Sequence, residues 1–365
     1  MSSAVTEHAV LDALRPIQDP DFHKSIVDLG FIKNLTIAGT KVSFDIELTT
    51  PACPVKAEFE RAAREKVSAL PGVEEVEVRM TANTRQAVSS VKEKLVLPGV
   101  KNMLAVASGK GGVGKSTTAL NIALSMKQSG ARVGLLDADV YGPSLPLITG
   151  VHGRPQTTSN QRIIPLEGYG LKLMSMGFFV TDDSPVIWRG PMVHGLIKQF
   201  LTDVAWGELD YLVVDLPPGT GDAALTLTQL APLSGAVIVT TANDLSLIDA
   251  RKGLQMFNKV SVPVLGIIEN MSYFTPPELP DKRYYLFGRD GGKRVAKELG
   301  VDFLGEVPID PHMADYGDRG EPIVAVAPES EAGRAFRDIS GEIVRRLAVL
   351  AMETPMADGN ITWVS

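Results

Sequence analysis

The sequence predicts an α/β protein, with a doubly wound, mostly parallel sheet preceded by a small α+β domain. Three observations carry this. From residue 101 onward, short apolar runs alternate with helical patterns. Runs such as Leu212-Val213-Val214 are continuous, not alternating, so those strands are buried on both faces, as parallel strands are. The segment Gly109-Lys110-Gly111-Gly112-Val113-Gly114-Lys115-Ser116-Thr117 sits between an apolar run, 103–108, and a helix-like stretch, 117–128. That is the strand, glycine-rich loop and helix order of a phosphate-binding loop.

The elements follow in order. A helix is expected over 4–14, strands over 31–37 and 41–48, a helix over 54–70 and a strand over 74–80. Pro54 suits a first helical position, and Pro71-Gly72 stops the helix. Residues 82–100 are polar, close on Leu97-Pro98-Gly99, and read as a linker. Strands of the second domain are expected at 104–107, 132–136, 171–176, 211–214, 236–240, 264–269 and 303–306. Ala335, Phe336, Ile339, Ile343, Leu347 and Leu350 recur at helical spacing. A closing helix packed on the sheet explains them better than a membrane-targeting helix, because the polar face mixes signs. The expected division is 1–81, a linker 82–100, 101–351 and a tail 352–365.

Composition sets bounds. With 365 residues, 44% hydrophobic and 22% charged, the chain is long enough for two domains with a sizeable core. The net charge of −7 argues against a general nucleic-acid surface. One cysteine, Cys53, excludes an intrachain disulfide and fits a reducing compartment, so a cytoplasmic location is expected. The N-terminus lacks the apolar core of a signal peptide, and no apolar stretch approaches the ~20 residues of a membrane helix.

The loop residues have separate tasks. Gly109, Gly111, Gly112 and Gly114 let backbone N–H groups, Val113 included, converge on phosphate oxygens, and the helix start adds unpaired donors. Lys115 reaches the β- and γ-phosphates of ATP, while Ser116 ligates Mg²⁺ and Thr117 follows it. Asp137 and Asp139 come after the second strand of this domain, where either carboxylate orients water or holds the metal's water shell. Asp215 ends the apolar strand at 211–214 and suits a water-mediated Mg²⁺ contact. Asn270 ends another strand, with an amide that can both donate to and accept from adenine.

These segments together resemble two known families. The Lys110-Gly-Gly-x-Gly-Lys115-Ser-Thr pattern is similar to the deviant phosphate loop of the MinD/ParA/nitrogenase iron-protein superclass. That resemblance implies that Lys110 reaches across a homodimer to the partner's nucleotide, like an arginine finger. Trp188-Arg189-Gly190-Pro191-Met192, Asp215-Leu216-Pro217-Pro218-Gly219-Thr220-Gly221-Asp222, Glu269-Asn270-Met271-Ser272-Tyr273-Phe274 and Gly305-Glu306-Val307-Pro308-Ile309-Asp310 resemble the Mrp/ApbC iron–sulfur cluster carrier ATPases. Ile26-Val27-Asp28-Leu29-Gly30 and Thr49-Thr50-Pro51-Ala52-Cys53-Pro54 resemble the MIP18-type domain of iron–sulfur assembly factors.

The resemblance implies ATP hydrolysis, homodimers, and transfer of clusters to iron–sulfur apoproteins alongside assembly factors, with no nucleic-acid or membrane partner. It also implies a Cys-x-x-Cys pair that holds a bridging [4Fe–4S] cluster between protomers. Here the corresponding stretch reads Thr275-Pro276-Pro277-Glu278-Leu279-Pro280-Asp281, without cysteine. Relatives of the chloroplast branch lack the pair too. Cys53 is then the leading candidate for cluster contact, at an expected helix start whose dipole lowers a thiol pKa. Two rivals remain: a MinD/ParA-like positioning switch, and an assembly scaffold that holds no cluster itself.

Overall fold

A computed structural model describes residues 5–84, 95, 97–180 and 190–353. Residues 85–94 and 96 of the expected linker, Trp188 and Arg189, and the tail from 354 lie outside the described residues. Two compact units emerge: residues up to 84 with those from Val344 on, and those from 95 to Ile343.

The first unit begins with α1 (Glu7–Leu14), whose Thr6 side chain accepts from Ala9 N–H as an N-cap. A two-residue pair, β1 (Gln18–Asp19) and β2 (Lys24–Ser25), follows. Next come β3 (Ile32–Ala38), β4 (Lys41–Leu48), α2 (Lys56–Ser68) and β5 (Glu75–Ala82). The sheet order is β3-β4-β5, with β3 antiparallel and β5 parallel to β4. Strand β4 alternates strictly, burying Val42, Phe44, Ile46 and Leu48. Those side chains pack with Phe59, Ala63 and Val67 of α2 in one core. Helix α2 starts two residues later than the proline suggested: its N-cap is Val55, so Cys53 and Pro54 lie in the preceding turn.

The second unit runs β6 (Val100–Ser108), α3 (Lys115–Gln128), β7 (Val133–Asp137), α4 (Leu145–Thr149), β8 (Leu166–Gly168) and β9 (Leu171–Ser175). A 3-10 turn at Met176–Phe178 leads toward α5 (Gly190–Thr202). Then follow β10 (Leu209–Asp215), α6 (Asp222–Leu230), β11 (Gly235–Thr240), α7 (Asp244–Lys259), β12 (Val264–Glu269), α8 (Gly291–Leu299), β13 (Phe303–Glu306), α9 (Pro311–Asp318) and α10 (Ile323–Val326). Helix α11 (Glu331–Glu353) closes the described chain.

The eight strands order as β13-β12-β11-β6-β10-β7-β9-β8, all parallel except the β8 edge. The chain leaves β6 toward β7 on one side and later returns to β11 on the other. That makes β6 the switch point, where ligands bind such sheets beyond the strands' carboxyl ends. Every residue of β7, β10 and β11 is buried, so helices cover both faces. Each fully buried Leu or Val there stabilises the fold by roughly 1.5–3 kcal/mol. The apolar positions Phe336, Ile339, Ile343 and Leu347 of α11 are buried, as a closing helix requires. Among the described residues no helix is long and apolar enough to cross a membrane.

Candidate functional site: the carboxyl end of the large sheet

Strand β6 ends at Ser108, and loop 109–114 carries the chain to α3. Gly112 and Gly114 both sit at φ +79°, which side chains other than glycine's rarely adopt. Gly109 is needed for space, because a Cβ there would lie 2.3 Å from the backbone of Asp249 on α7. Gly111 has open space around its Cα, which leaves room for a phosphate to approach. Gly114 carbonyl accepts from Thr118 N at 2.9 Å and from Thr118 Oγ1 at 2.8 Å, so α3 is regular from its first turn. The N–H groups at that start have no intrahelical acceptor and favour an anion.

Lys115 and Asp215 form a buried ion pair, 6% and 3% exposed. The Lys115 ammonium also lies 3.3 Å from Ser116 Oγ, and the Ser116 hydroxyl is near enough to Asp215 to favour its charged form. Asp215 stands opposite Asp137 in the β10–β7 register, so two carboxylates end neighbouring strands. Asp137 accepts four hydrogen bonds: from Asp139 N at 3.0 Å, Ser144 N at 3.1 Å, Leu145 N at 3.2 Å and Ser175 Oγ at 2.9 Å. Burial, and then the charge of Asp215, push the Asp137 carboxyl up to about 7 despite the Ser175 bond and Lys115. Burial raises Asp215 as well, and the Lys115 ammonium opposes that.

The structure therefore brings together Lys115, Ser116, Asp137 and Asp215. Asp139 is half-buried and near enough for its charge to raise Asp215, but its Oδ1 accepts from Gly142 N in a turn. Segment 216–219 is tied to β6 by Leu216 N to Val106 O and Gly219 N to Ser108 O, at 3.0 and 2.8 Å. Lys110 is half-buried, its carbonyl accepts from Ser108 Oγ, and its ammonium has no ion-pair partner among the described residues. Asn270 is buried, and its Nδ2 donates to Val113 O at 2.8 Å.

Two strand-end positions with buried side-chain bonds were given no role by sequence reasoning. Ser175 ends β9 and reaches Asp137 only through the β7–β9 register. Glu269, fully buried, accepts from Ser272 Oγ at 2.5 Å and from Gly292 N at 2.6 Å, anchoring the start of α8. Its position at a strand end was the only local signal.

Cys53 corrects an expectation. It does not start a helix, and its thiol is pushed up to about 11, first by burial and then by the charges of Asp19 and Asp21. A Val55 N–H bond and Lys56 oppose this without reversing it. On either side of the stretch where the resemblance implied a thiolate pair, Phe274 and Tyr284 form an antiparallel bridge. The Arg283 guanidinium lies 3.9 Å over the Tyr273 ring, whose hydroxyl donates to Glu331 at 2.9 Å. Among the described residues no group of three His, Cys, Asp or Glu side chains converges to hold a metal. Mg²⁺ beside phosphates needs only one or two protein ligands, and a hydroxyl with a carboxylate, as in Ser116 and Asp215, fits that demand.

Comparison with known proteins agrees with this geometry. Residues 99–344 match the ParA family, described as NUBPL iron-transfer P-loop NTPase, and residues 7–78 match an iron-sulfur cluster assembly protein family. The iron-sulfur cluster carrier protein of Synechocystis sp. is 51% identical over 352 residues, 95% of this chain and 99% of its own. The chloroplastic Fe-S cluster assembly factor HCF101 of Arabidopsis thaliana is 47% identical over 96% of this chain and 66% of its own. Among solved structures, a nucleotide-binding protein from Archaeoglobus fulgidus in complex with ADP aligns with a TM-score of 0.58 at 38% identity. It covers 66% of this chain and 93% of its own.

Proposed function

The chain belongs to the family of NUBPL iron-transfer P-loop NTPases, and from that premise we propose that it is an ATP-hydrolysing carrier delivering iron–sulfur clusters to apoproteins. One observation carries the reading. The phosphate loop, Lys115, Ser116, Asp137 and Asp215 meet at the switch point of the sheet, in a chain similar along nearly its whole length to a named cluster carrier.

The residues divide the work as follows. Backbone N–H groups of loop 109–114 and the α3 start bind the phosphates of ATP. Lys115 exchanges Asp215 for the β- and γ-phosphates. Ser116 and Asp215 would hold Mg²⁺, whose charge offsets that of the phosphates. Asp137, with a pKa near neutrality, takes or orients the proton of the attacking water, and Asp139 supports the water shell. In a homodimer, Lys110 enters the partner's site, where a second cation stabilises the transferred phosphoryl group. The proposed domains are 1–81 and 101–351, and the proposed compartment is the reducing cytoplasm.

A second reading, the scaffold, is favoured by Cys53. It is the chain's one thiol, and burial holds it protonated. A dimer then offers two thiols where a [4Fe–4S] site uses four. Anaerobic reconstitution with iron and sulfide, followed by iron counting and transfer to an apoprotein, separates the two. Bound iron that leaves for the client supports the carrier. ATP hydrolysis without iron uptake, even with a client present, supports the scaffold. Failure to hydrolyse ATP removes both.

A further inference from the structure

Asn270 follows β12 and is 4% exposed. Its own N–H donates to Thr240 O at 2.8 Å, which ties it to the end of β11. Its Nδ2 donates to Val113 O at 2.8 Å. The same nitrogen would lie 2.2 Å from a Cβ on Gly114, so the amide presses flat against the residue that turns the loop into α3. The next residue, Met271, has φ +53°, an uncommon value for a side chain of that size, and the buried Ser272 then bonds Val307 O and Glu269. Asn270 is thus held from both sides.

This contact sets the orientation of one peptide. In a trans peptide the carbonyl and the following N–H point in opposite directions. With Val113 O drawn back to Asn270, Gly114 N–H points away from Asn270. Thr118 fixes the next carbonyl, that of Gly114, by two bonds. The last two peptides of the loop are therefore clamped from β12 on one side and α3 on the other.

We propose that Asn270 is a positioning residue for the phosphate loop: it acts on phosphate through the Val113–Gly114 peptide, whatever base the nucleotide carries. The proposal rests on the ATP-binding reading above. It adds a task to the expected adenine contact: one of the two amide hydrogens is committed to the loop, and the second hydrogen and Oδ1 remain for other partners.

The test measures binding of ATP, GTP and inorganic tripolyphosphate, each with Mg²⁺ at pH 8, to the full-length wild type, Asn270→Ala and Asn270→Asp. In the alanine variant a buried carbonyl loses its donor, so the Kd should rise about tenfold for all three ligands, the base-free tripolyphosphate included. The aspartate variant, equal in size, sets a carboxylate against that carbonyl and should lose more than alanine. A folding defect would lower the number of titrated sites, whereas a slackened loop raises the Kd of every site. Tripolyphosphate binding unchanged while ATP binding falls, or GTP binding improved by aspartate, would overturn the proposal in favour of base reading. Unchanged Kd values in both variants would overturn it outright. A wild type that binds none of the three would instead refute the nucleotide reading on which the proposal rests.

Discussion

At the carboxyl ends of β6, β7 and β10, buried charged groups face their own compensation. Lys115 stands against Asp215, and four donors surround Asp137. In the turn before α2, one half-buried thiol lies near two carboxylates, with a single N–H bond and Lys56 against them. The first region offsets the charges of Lys115 and Asp215 against each other within the protomer and leaves Asp137 to exchange a proton near neutrality. The second avoids the charge altogether by holding the thiol protonated. The lesson is that burial alone does not mark a reactive group; what matters is which opposite charges and donors the fold sets beside it.

The sharpest way to break the first region is to remove its cation. Lys115→Ala should abolish measurable hydrolysis and weaken ATP binding, because the γ-phosphate loses its main positive partner and Asp215 loses its own. Phosphate release near the wild-type rate would end the phosphate-loop assignment.

Lys110 tests whether the region is complete within one protomer. Lys110→Ala should lower turnover by roughly 10³–10⁵, the range for a finger cation, while ATP binding stays within about threefold. Mixing it with Lys115→Ala should restore activity, since the mixed dimer holds one intact loop and one intact finger. Equal losses of binding and turnover, or no recovery on mixing, would count against a role across the interface.

Legibility differed between the regions for a physical reason. Glycine positions, Lys115 and the strand ends were readable because the loop's shape is encoded by the residues that form it: Gly112 and Gly114 take left-handed backbone, and Gly109 leaves room for α7. Strands β12 and β13 fell at their expected bounds, Val264–Glu269 and Phe303–Glu306. The pair β1–β2 and the edge strand β8 escaped, as two or three residues carry no period. Ser175 was invisible because its bond to Asp137 exists only through strand register. Cys53 misled because local chemistry suggested a helix start, whereas packing against the small core decided its environment.

Asp137 offers a smaller, pH-dependent test. Its folded pKa is raised from 3.8 to about 7. Below the unfolded value, folded and unfolded chains both hold the proton and its contribution to stability is fully present. Between that value and 7 the folded chain alone keeps the proton, so stability falls as pH rises, by up to roughly 4 kcal/mol. Urea midpoints of the nucleotide-free protein at pH 5, 6 and 7.5 should therefore decline, and Asp137→Asn should flatten the decline. A variant with the same slope as wild type would show that the carboxyl does not titrate there.

The smallest effect on turnover, and the one that sharpens the second region, is expected at Cys53. A thiol raised from 9.0 to about 11 has a thiolate fraction at pH 7.5 about 100-fold below that of a free cysteine. Alkylation of the native protein by iodoacetamide should be slow, rise about tenfold per pH unit through pH 10, and become fast in urea. Rapid alkylation at pH 7.5 would contradict the burial argument. Cys53→Ser should leave ATP hydrolysis within about twofold, because no residue of the phosphate site lies in its turn, and should remove any reconstituted cluster. A serine variant with full iron and sulfide would refute Cys53 as a ligand. If the thiol is slow and the cluster is nevertheless lost, iron must displace the proton that burial protects. Uptake would then release protons and speed up between pH 7 and 9, as ligation by a protonated thiol requires.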